Sequence, residues 1–200
     1  MGDQGSLVGS KGEILFKVSD TQSAHPFVLH LGDASGTLEV GQEVLAKIST
    51  PPRRATEIHH TATHLLHSAM REVLGNGVRQ AGSLVSPEKL RFDYTTERAP
   101  TSEERECIEG VVQSEVLKAS SLATSFSTLK AARAAGVISL FGEKYEDDVR
   151  VVDVPGFSQE LCGGTHVAQT GDIGSFRIIS ETAIAAGVRR IEAVASDAAL

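Results

Sequence analysis

Four of the seven histidines in this 200-residue chain fall within ten positions, IHHTATHLLH, residues 58–67. His60 and His64 are four apart, a spacing that on a helix puts two imidazoles one turn apart on one face, close enough to share a metal ion. Far downstream, LCGGTH, residues 161–166, offers Cys162 and His166 at the same spacing across two glycines that let a backbone turn tightly. Taken singly, each motif has a plainer reading. H-x-x-x-H can be a polar helix face that happens to be rich in histidine, and a cysteine beside glycines is often a small buried residue. Taken together, His60, His64, Cys162 and His166 make an N/N/N/S donor set that zinc accepts in tetrahedral geometry. Thr61 stands where an H-E-x-x-H metalloprotease carries its glutamate, so peptide hydrolysis with that base loses its main support.

The elements that must position these donors can be read from periodicity. Ile58, Ala62, Leu65, Ala69 and Val73 recur at three- and four-residue spacing and predict an amphipathic helix from Arg53 to Leu74, preceded by the prolines of STPPRR and stopped by GNG. On it His60, His64 and His67 share a narrow arc roughly opposite Ile58 and Leu65, and His59 points elsewhere. Residues 1–50 alternate the strand-like runs EILFKV, FVLHL and EVLAKI with glycine-rich turns. VRQAGSLV and KLRFDY read as a hairpin, and Thr101 followed by Glu104 as the capping box of a second helix. TLKAARAAG is a third, short helix; VRVVDV, GSFRIIS and RRIEAVA are strands, with QELCGGTH a loop after the first of them. The expected fold class is α+β: a small N-terminal β-barrel-like module over residues 1–52, then a two-layer α/β core with a mostly antiparallel sheet over residues 53–200.

Composition narrows the function classes. With 40% hydrophobic and 22% charged residues the chain can bury a core. No apolar run approaches the roughly 18 residues of a membrane span and no signal peptide is evident, so a cytoplasmic protein without a membrane partner is expected. Cys107 and Cys162 lie in unlike contexts, which argues against a disulfide. A formal net charge of −7 argues against a general nucleic-acid coat. Between Arg53 and Arg98, however, seven Lys/Arg face five Asp/Glu, so either a local basic face or ordinary mixed surface is possible there.

HTATHLLH, VRQAGSLVSPEKLRFDY, LFGEKYEDDVRVVDVPG, ELCGGTH and GVRRIEAV, in that order, resemble the editing domain of alanyl-tRNA synthetase and its free-standing relatives, from about Arg53 to Val194. The paired histidine and cysteine motifs also resemble the threonyl-tRNA synthetase editing domain, but RQAGSLV and GEKY favour the alanyl type. The resemblance implies hydrolysis of the ester joining serine or glycine to the 3′ acceptor end of alanine tRNA. A first sieve admits such side chains because a pocket cannot strongly reject an added hydroxyl or a smaller group. It implies one Zn2+ held by His60, His64, Cys162 and His166, and a selectivity pocket involving Thr63 and Gln80, with Ser83 a third candidate. Two roles stay open for the metal: lowering the pKa of a water, or positioning the terminal adenosine or the substrate amine. Backbone N–H groups at Gly163 and Gly164 could stabilise an oxyanion, or the glycines could serve only a tight turn. Glu160 is either a partner to a ligand imidazole or a surface charge, and His67 either such a partner or exposed. Arg53, Arg54, Arg189 and Arg190 offer phosphate contacts or ordinary ion pairs; His25 and His30 read as surface or packing residues.

No aminoacylation core fits in 200 residues, and the chain opens at MGDQGSLVG, past the glycine-rich strand by which the family's barrel usually enters. Part of a larger synthetase chain is therefore expected. Two further classes compete: a non-catalytic, zinc-stabilised tRNA-binding module, and a metal hydrolase of another ester or amide.

Overall fold

A computed structural model describes residues 2–139 and 145–200. They form two compact units, Met1–Arg54 and Ala55–Leu200. In the first, β1 (Gly5–Val8), β2 (Ile14–Ala24), β3 (Phe27–Ala34) and β4 (Leu45–Ile48) make one antiparallel sheet in the order β3-β2-β1-β4. Strand β1 lies in a glycine-flanked stretch where the sequence pattern predicts none, because its four residues give too short a pattern to read. Val8, Leu15 and Val18 are buried there, and His25 and His30 are both exposed.

Helix α1 (Thr50–Leu74) begins three residues before the expected Arg53, so Pro51 and Pro52 lie inside its first turn rather than ahead of it. Prolines are tolerated there because first-turn N–H groups have no intrahelical acceptor and the ring already supplies a helical φ. The helix stops at Gly75, whose φ of +97° is a left-handed value that favours glycine.

In the second unit, β5 (Arg79–Val85), β6 (Leu90–Thr95), β10 (Phe176–Ala185) and β11 (Val188–Ala195) pair antiparallel in the order β10-β11-β6-β5. Leu90, Phe92 and Tyr94 alternate with Arg91 and Asp93, which separates an apolar face from a charged one. Residues of α1 and of α2 (Ser102–Leu117) join the apolar face in one core that includes Leu65, Met70, Ile108 and Val112. The predicted Thr101–Glu104 capping box is present at the start of α2.

A second, three-stranded sheet has the order β7-β8-β9, from β7 (Ala123–Thr128), β8 (Asp148–Val154) and β9 (Ser158–Leu161), with the short helix α3 (Leu129–Ala134) packed through Ala132 against Val149, Val151 and Leu161. β9 corrects the expectation that QELCGGTH is wholly loop: Gln159, Glu160 and Leu161 are paired with β8, and the loop starts at Cys162. Of the GEKY stretch, residues 142–144 lie outside the described residues.

Candidate metal centre

Helix α1 and the turn beyond β9 bring His60, His64, Cys162 and His166 together, with one donor atom of each within 4.8 Å of the others. Cys162 Sγ lies 3.4 Å from His60 Nε2 and 3.4 Å from His166 Nε2. Zinc bonds of about 2.0–2.1 Å to nitrogen and 2.3 Å to sulfur in a tetrahedron require N···S separations of about 3.5 Å. These two pairs therefore already have the spacing of a shared ion.

Each imidazole is also held at its other nitrogen. His60 Nδ1 is 3.1 Å from the Thr165 carbonyl, His64 Nδ1 is 3.3 Å from Glu160 Oε2, and His166 Nδ1 is 3.2 Å from Thr61 Oγ1. With Nδ1–H donating in every case, Nε2 of all three rings keeps its lone pair for the centre. The donor set, the spacing and the tautomers all fit zinc.

The arc of histidines predicted to lie opposite the apolar stripe is not a solvated face. His64 and His67 are buried under β9, where Glu160, itself only 4% exposed, accepts from both. His67 Nδ1 stands 2.9 Å from Glu160 Oε1. Burial alone would push the Glu160 pKa up, but the adjoining His64 and His67 outweigh it and hold the carboxyl below the usual range. Of the two readings open for Glu160 and His67, the structure takes the buried, partnered one. His59 points away from the centre: its Nδ1 donates to the Ser86 carbonyl at 2.8 Å and its Nε2 accepts from Ala195 N–H at 3.2 Å, tying α1 to the sheet.

Neither glycine of CGGTH adopts a left-handed φ, so the turn does not call for glycine at either position through a left-handed backbone. Gly164 is there for space, since the His60 ring lies directly against its Cα. The Gly164 N–H points at Cys162 Sγ, 3.5 Å away, and so is already engaged.

Thr63 lies between the two helical histidines, 5% exposed, and its hydroxyl donates to the His59 carbonyl at 2.8 Å. Gln80 and Ser83 are bonded to each other, Nε2 to Oγ at 3.1 Å. Residues three apart on a strand normally face opposite ways; an irregularity between Gln80 and Gly82 restores them to one side, the side of Tyr94 and Phe92 on which α1 packs. Among the described residues no hydrogen bond joins Gln80 or Ser83 to the four-donor cluster.

Three of the four arginines offered as phosphate contacts are engaged in ion pairs. Arg53 pairs with Asp3, Arg189 grips both oxygens of Glu181, and Arg190 grips both oxygens of Asp93 at 2.7 and 2.8 Å. For Arg53, Arg189 and Arg190 the ion-pair reading holds.

Comparison with known proteins shows what the chain is similar to. A family model described as the threonyl and alanyl tRNA synthetase second additional domain matches residues 149–192, the stretch that carries β8, β9 and the Cys162–His166 turn. Alanine–tRNA ligase of Methylobacillus flagellatus is 50% identical over 202 residues, covering 100% of this chain and 23% of the ligase. The enzymes of Halorhodospira halophila and Solibacter usitatus are each 48% identical over 204 residues, covering 99% and 100% of the chain and 24% and 23% of their own lengths. The chain is similar along its whole length to part of these alanine–tRNA ligases. It spans about a quarter of the length of the curated relatives it matches.

Beside these four donors, the residue that sequence reading passes over is Thr61, notable there only for not being glutamate. Fully buried, its hydroxyl donates to the Glu57 carbonyl at 3.0 Å and accepts from Val167 N–H at 3.2 Å as well as from His166. One donor and two acceptor sites exhaust a hydroxyl, so Thr61 couples α1 to the turn that carries His166. Its partners there lie 105 and 106 residues away, and no local pattern could have revealed them.

Burial, with neighbouring imidazoles adding to it, pushes His60 down to about 4 and His166 to about 2, and burial lowers His64 and His59 too. Without metal, the unfolded chain takes up protons near pH 6.5 while the folded site does not. Stability must therefore fall as pH drops from about 6.5 toward 4, by about 2 kcal/mol between pH 7 and 5 for His60 alone. Urea titrations in the presence of a chelator should show the midpoint dropping over that range; an unchanged midpoint would mean these rings are not buried neutral.

The described residues contain no helix long and apolar enough to cross a membrane.

Proposed function

We propose that this chain hydrolyses the ester of misacylated alanine tRNA, releasing serine or glycine from the 3′ acceptor end, at a zinc centre of His60, His64, Cys162 and His166, as part of a larger synthetase chain. The observation that carries this reading is the preformed four-donor cluster in a chain similar along its whole length to alanine–tRNA ligases.

Bound zinc supplies a Lewis-acid centre that polarises a neighbouring oxygen. The remaining work belongs to the side chains and backbone. Because the Thr63 hydroxyl spends its proton on the His59 carbonyl, it is left as an acceptor. A seryl hydroxyl can donate to it and an alanyl methyl cannot, so Thr63 discriminates by a hydrogen bond that only serine completes. Gln80 donates its amide to Ser83 and, among the described residues, no hydrogen bond engages its Oε1, which makes the pair a second polar wall suited to the substrate amine or hydroxyl. With the Gly164 N–H occupied, the N–H of Gly163, an exposed residue, is the backbone donor we assign to the ester carbonyl oxygen. In the hydrolysis, water adds to that carbonyl, the bond to the ribose oxygen breaks, and that oxygen takes up a proton. An aminoacyl ester is activated already, so holding the reactants in place supplies much of the acceleration.

Thr63→Val should retain zinc and lose selectivity: seryl release slows by about 10-fold or more, the worth of one specific hydrogen bond, while slow alanyl release is unchanged. Deacylation of both charged tRNAs, with zinc quantified on the same sample, checks this. Seryl release unaffected by Thr63→Val favours a hydrolase of broader ester scope. Zinc binding and tRNA binding without any release favour the non-catalytic module.

A further inference from the structure

The β8–β9 ladder ends at Val151 and Leu161, so the turn that carries Cys162, Gly164 and His166 begins where strand pairing stops. On the side of the sheet it is held by Arg150, on β8. Its Nη1 donates to the carbonyl of Cys162 at 2.9 Å and to the carbonyl of Gly164 at 2.6 Å, and its Nη2 reaches Thr124 Oγ1 on β7 at 3.4 Å. The backbone answers in kind, with Cys162 N–H donating to the Arg150 carbonyl at 3.0 Å. The guanidinium thus fixes the peptide that carries the thiol and the peptide against which the His60 ring rests. Two carbonyls two residues apart, gripped by one planar nitrogen, leave the intervening backbone little freedom, and Cβ of Cys162 is aimed accordingly. The charge of Arg150 also reaches the cluster, where it adds to the burial that keeps His60 and His166 neutral. Arginine suits such a clamp because a planar fork can satisfy several acceptors at fixed angles, whereas a lysine ammonium is a point charge on a flexible stem.

We propose that Arg150 is a positioning residue of the metal centre, whose guanidinium holds the Cys162–Gly164 backbone in the conformation that delivers the thiolate and His166 to the ion, without being a ligand itself. This rests on the metal reading of the cluster. A site held in this way is organised before metal arrives, and loss of the clamp weakens binding more than it weakens the fold.

The test compares the 200-residue chain with Arg150→Met and Arg150→Lys, using Zn2+ affinity by chelator competition, the thiolate-to-metal absorption of the Co2+ form, and urea unfolding with and without zinc. Expected for Arg150→Met is a 10- to 100-fold loss of zinc affinity, the usual range for removing a group that orients ligands. A weakened or shifted Co2+ thiolate band and a smaller gain in unfolding midpoint on adding zinc should accompany it. Arg150→Lys restores the charge but not the fork, and should recover only a minor part of the affinity and the spectrum. Wild-type affinity and spectrum in Arg150→Met overturn the proposal. So does full recovery in Arg150→Lys, which would make charge alone sufficient. An equal loss of midpoint with and without zinc would make Arg150 an ordinary fold residue and also overturn it. Should Arg150→Met not fold, Arg150→Lys decides by the same spectrum, an unchanged thiolate band counting against the clamp. A wild-type chain that binds neither metal instead overturns the metal reading beneath it.

Discussion

Replacing Gly164 by alanine should dismantle the four-donor cluster, whereas the same change at Gly163 should leave it intact. A Cβ on Gly164 would sit 2.2 Å from His60 Cε1 and 2.7 Å from His60 Nδ1, far inside contact distance. The ring cannot simply swing aside, because its Nδ1 is bonded to the Thr165 carbonyl and its Nε2 faces Cys162 Sγ. Either His60 leaves the centre or the turn carrying Cys162 moves away from α1. A zinc site reduced to three protein donors loses several kcal/mol of binding, so the affinity of Gly164→Ala should fall by about 100-fold or more. At Gly163 a Cβ meets nothing within 4 Å and the backbone is not left-handed, so Gly163→Ala should bind zinc within about twofold of wild type. Chelator competition on the two variants checks this. Equal affinities would show that the approach of His60 to the turn is not needed for binding.

The second large effect is expected at Glu160. Glu160→Leu removes the acceptor of two buried imidazole N–H groups at once, on His64 and His67. Breaking a buried charged network from one side typically costs about 3–5 kcal/mol, because the orphaned groups keep their desolvation penalty. His67 has no slack to absorb the loss, since its Nε2 is already buried without a partner and its ring lies 5.2 Å from that of Phe92. The metal-free protein should therefore lose about 3 kcal/mol in urea unfolding, and zinc affinity should drop about 10-fold or more as His64 loses its orientation. Glu160→Gln, whose amide oxygen can still accept from one ring, should cost less than Glu160→Leu in both measurements. A Glu160→Leu chain as stable as wild type would mean that the carboxylate is a bystander.

Much of this architecture is legible in the sequence, for identifiable reasons. The stripe from Ile58 to Ala69 is buried as the helical spacing requires, and the Thr101–Glu104 box caps α2 where it should. Both are local signals, complete within one or two turns. The ligand pairs are legible for the same reason, each being a four-residue spacing. That the pairs meet is legible only through resemblance, because no periodicity connects α1 with a turn about a hundred residues on. Three of the failures share one physical cause. β9 is Ser-Gln-Glu-Leu, and a short, largely polar run containing Glu160 reads as loop until its two buried histidine partners on α1 are known. Thr61 and Arg150 look like a filler and a surface cation for the same reason, since the atoms they hold are distant in sequence or belong to the backbone. β7 is missed because ATSFST is polar and almost wholly exposed, with no buried alternation to read.

The most direct measurement is the release of serine and of alanine from alanine tRNA by one preparation of this chain, metal-replete and then stripped by chelator. Proposed chemistry at the four-donor centre requires rapid seryl release with alanine spared, lost on stripping and restored by one equivalent of zinc. Seryl release that persists undiminished in fully stripped protein, or equal release of both amino acids, would contradict it.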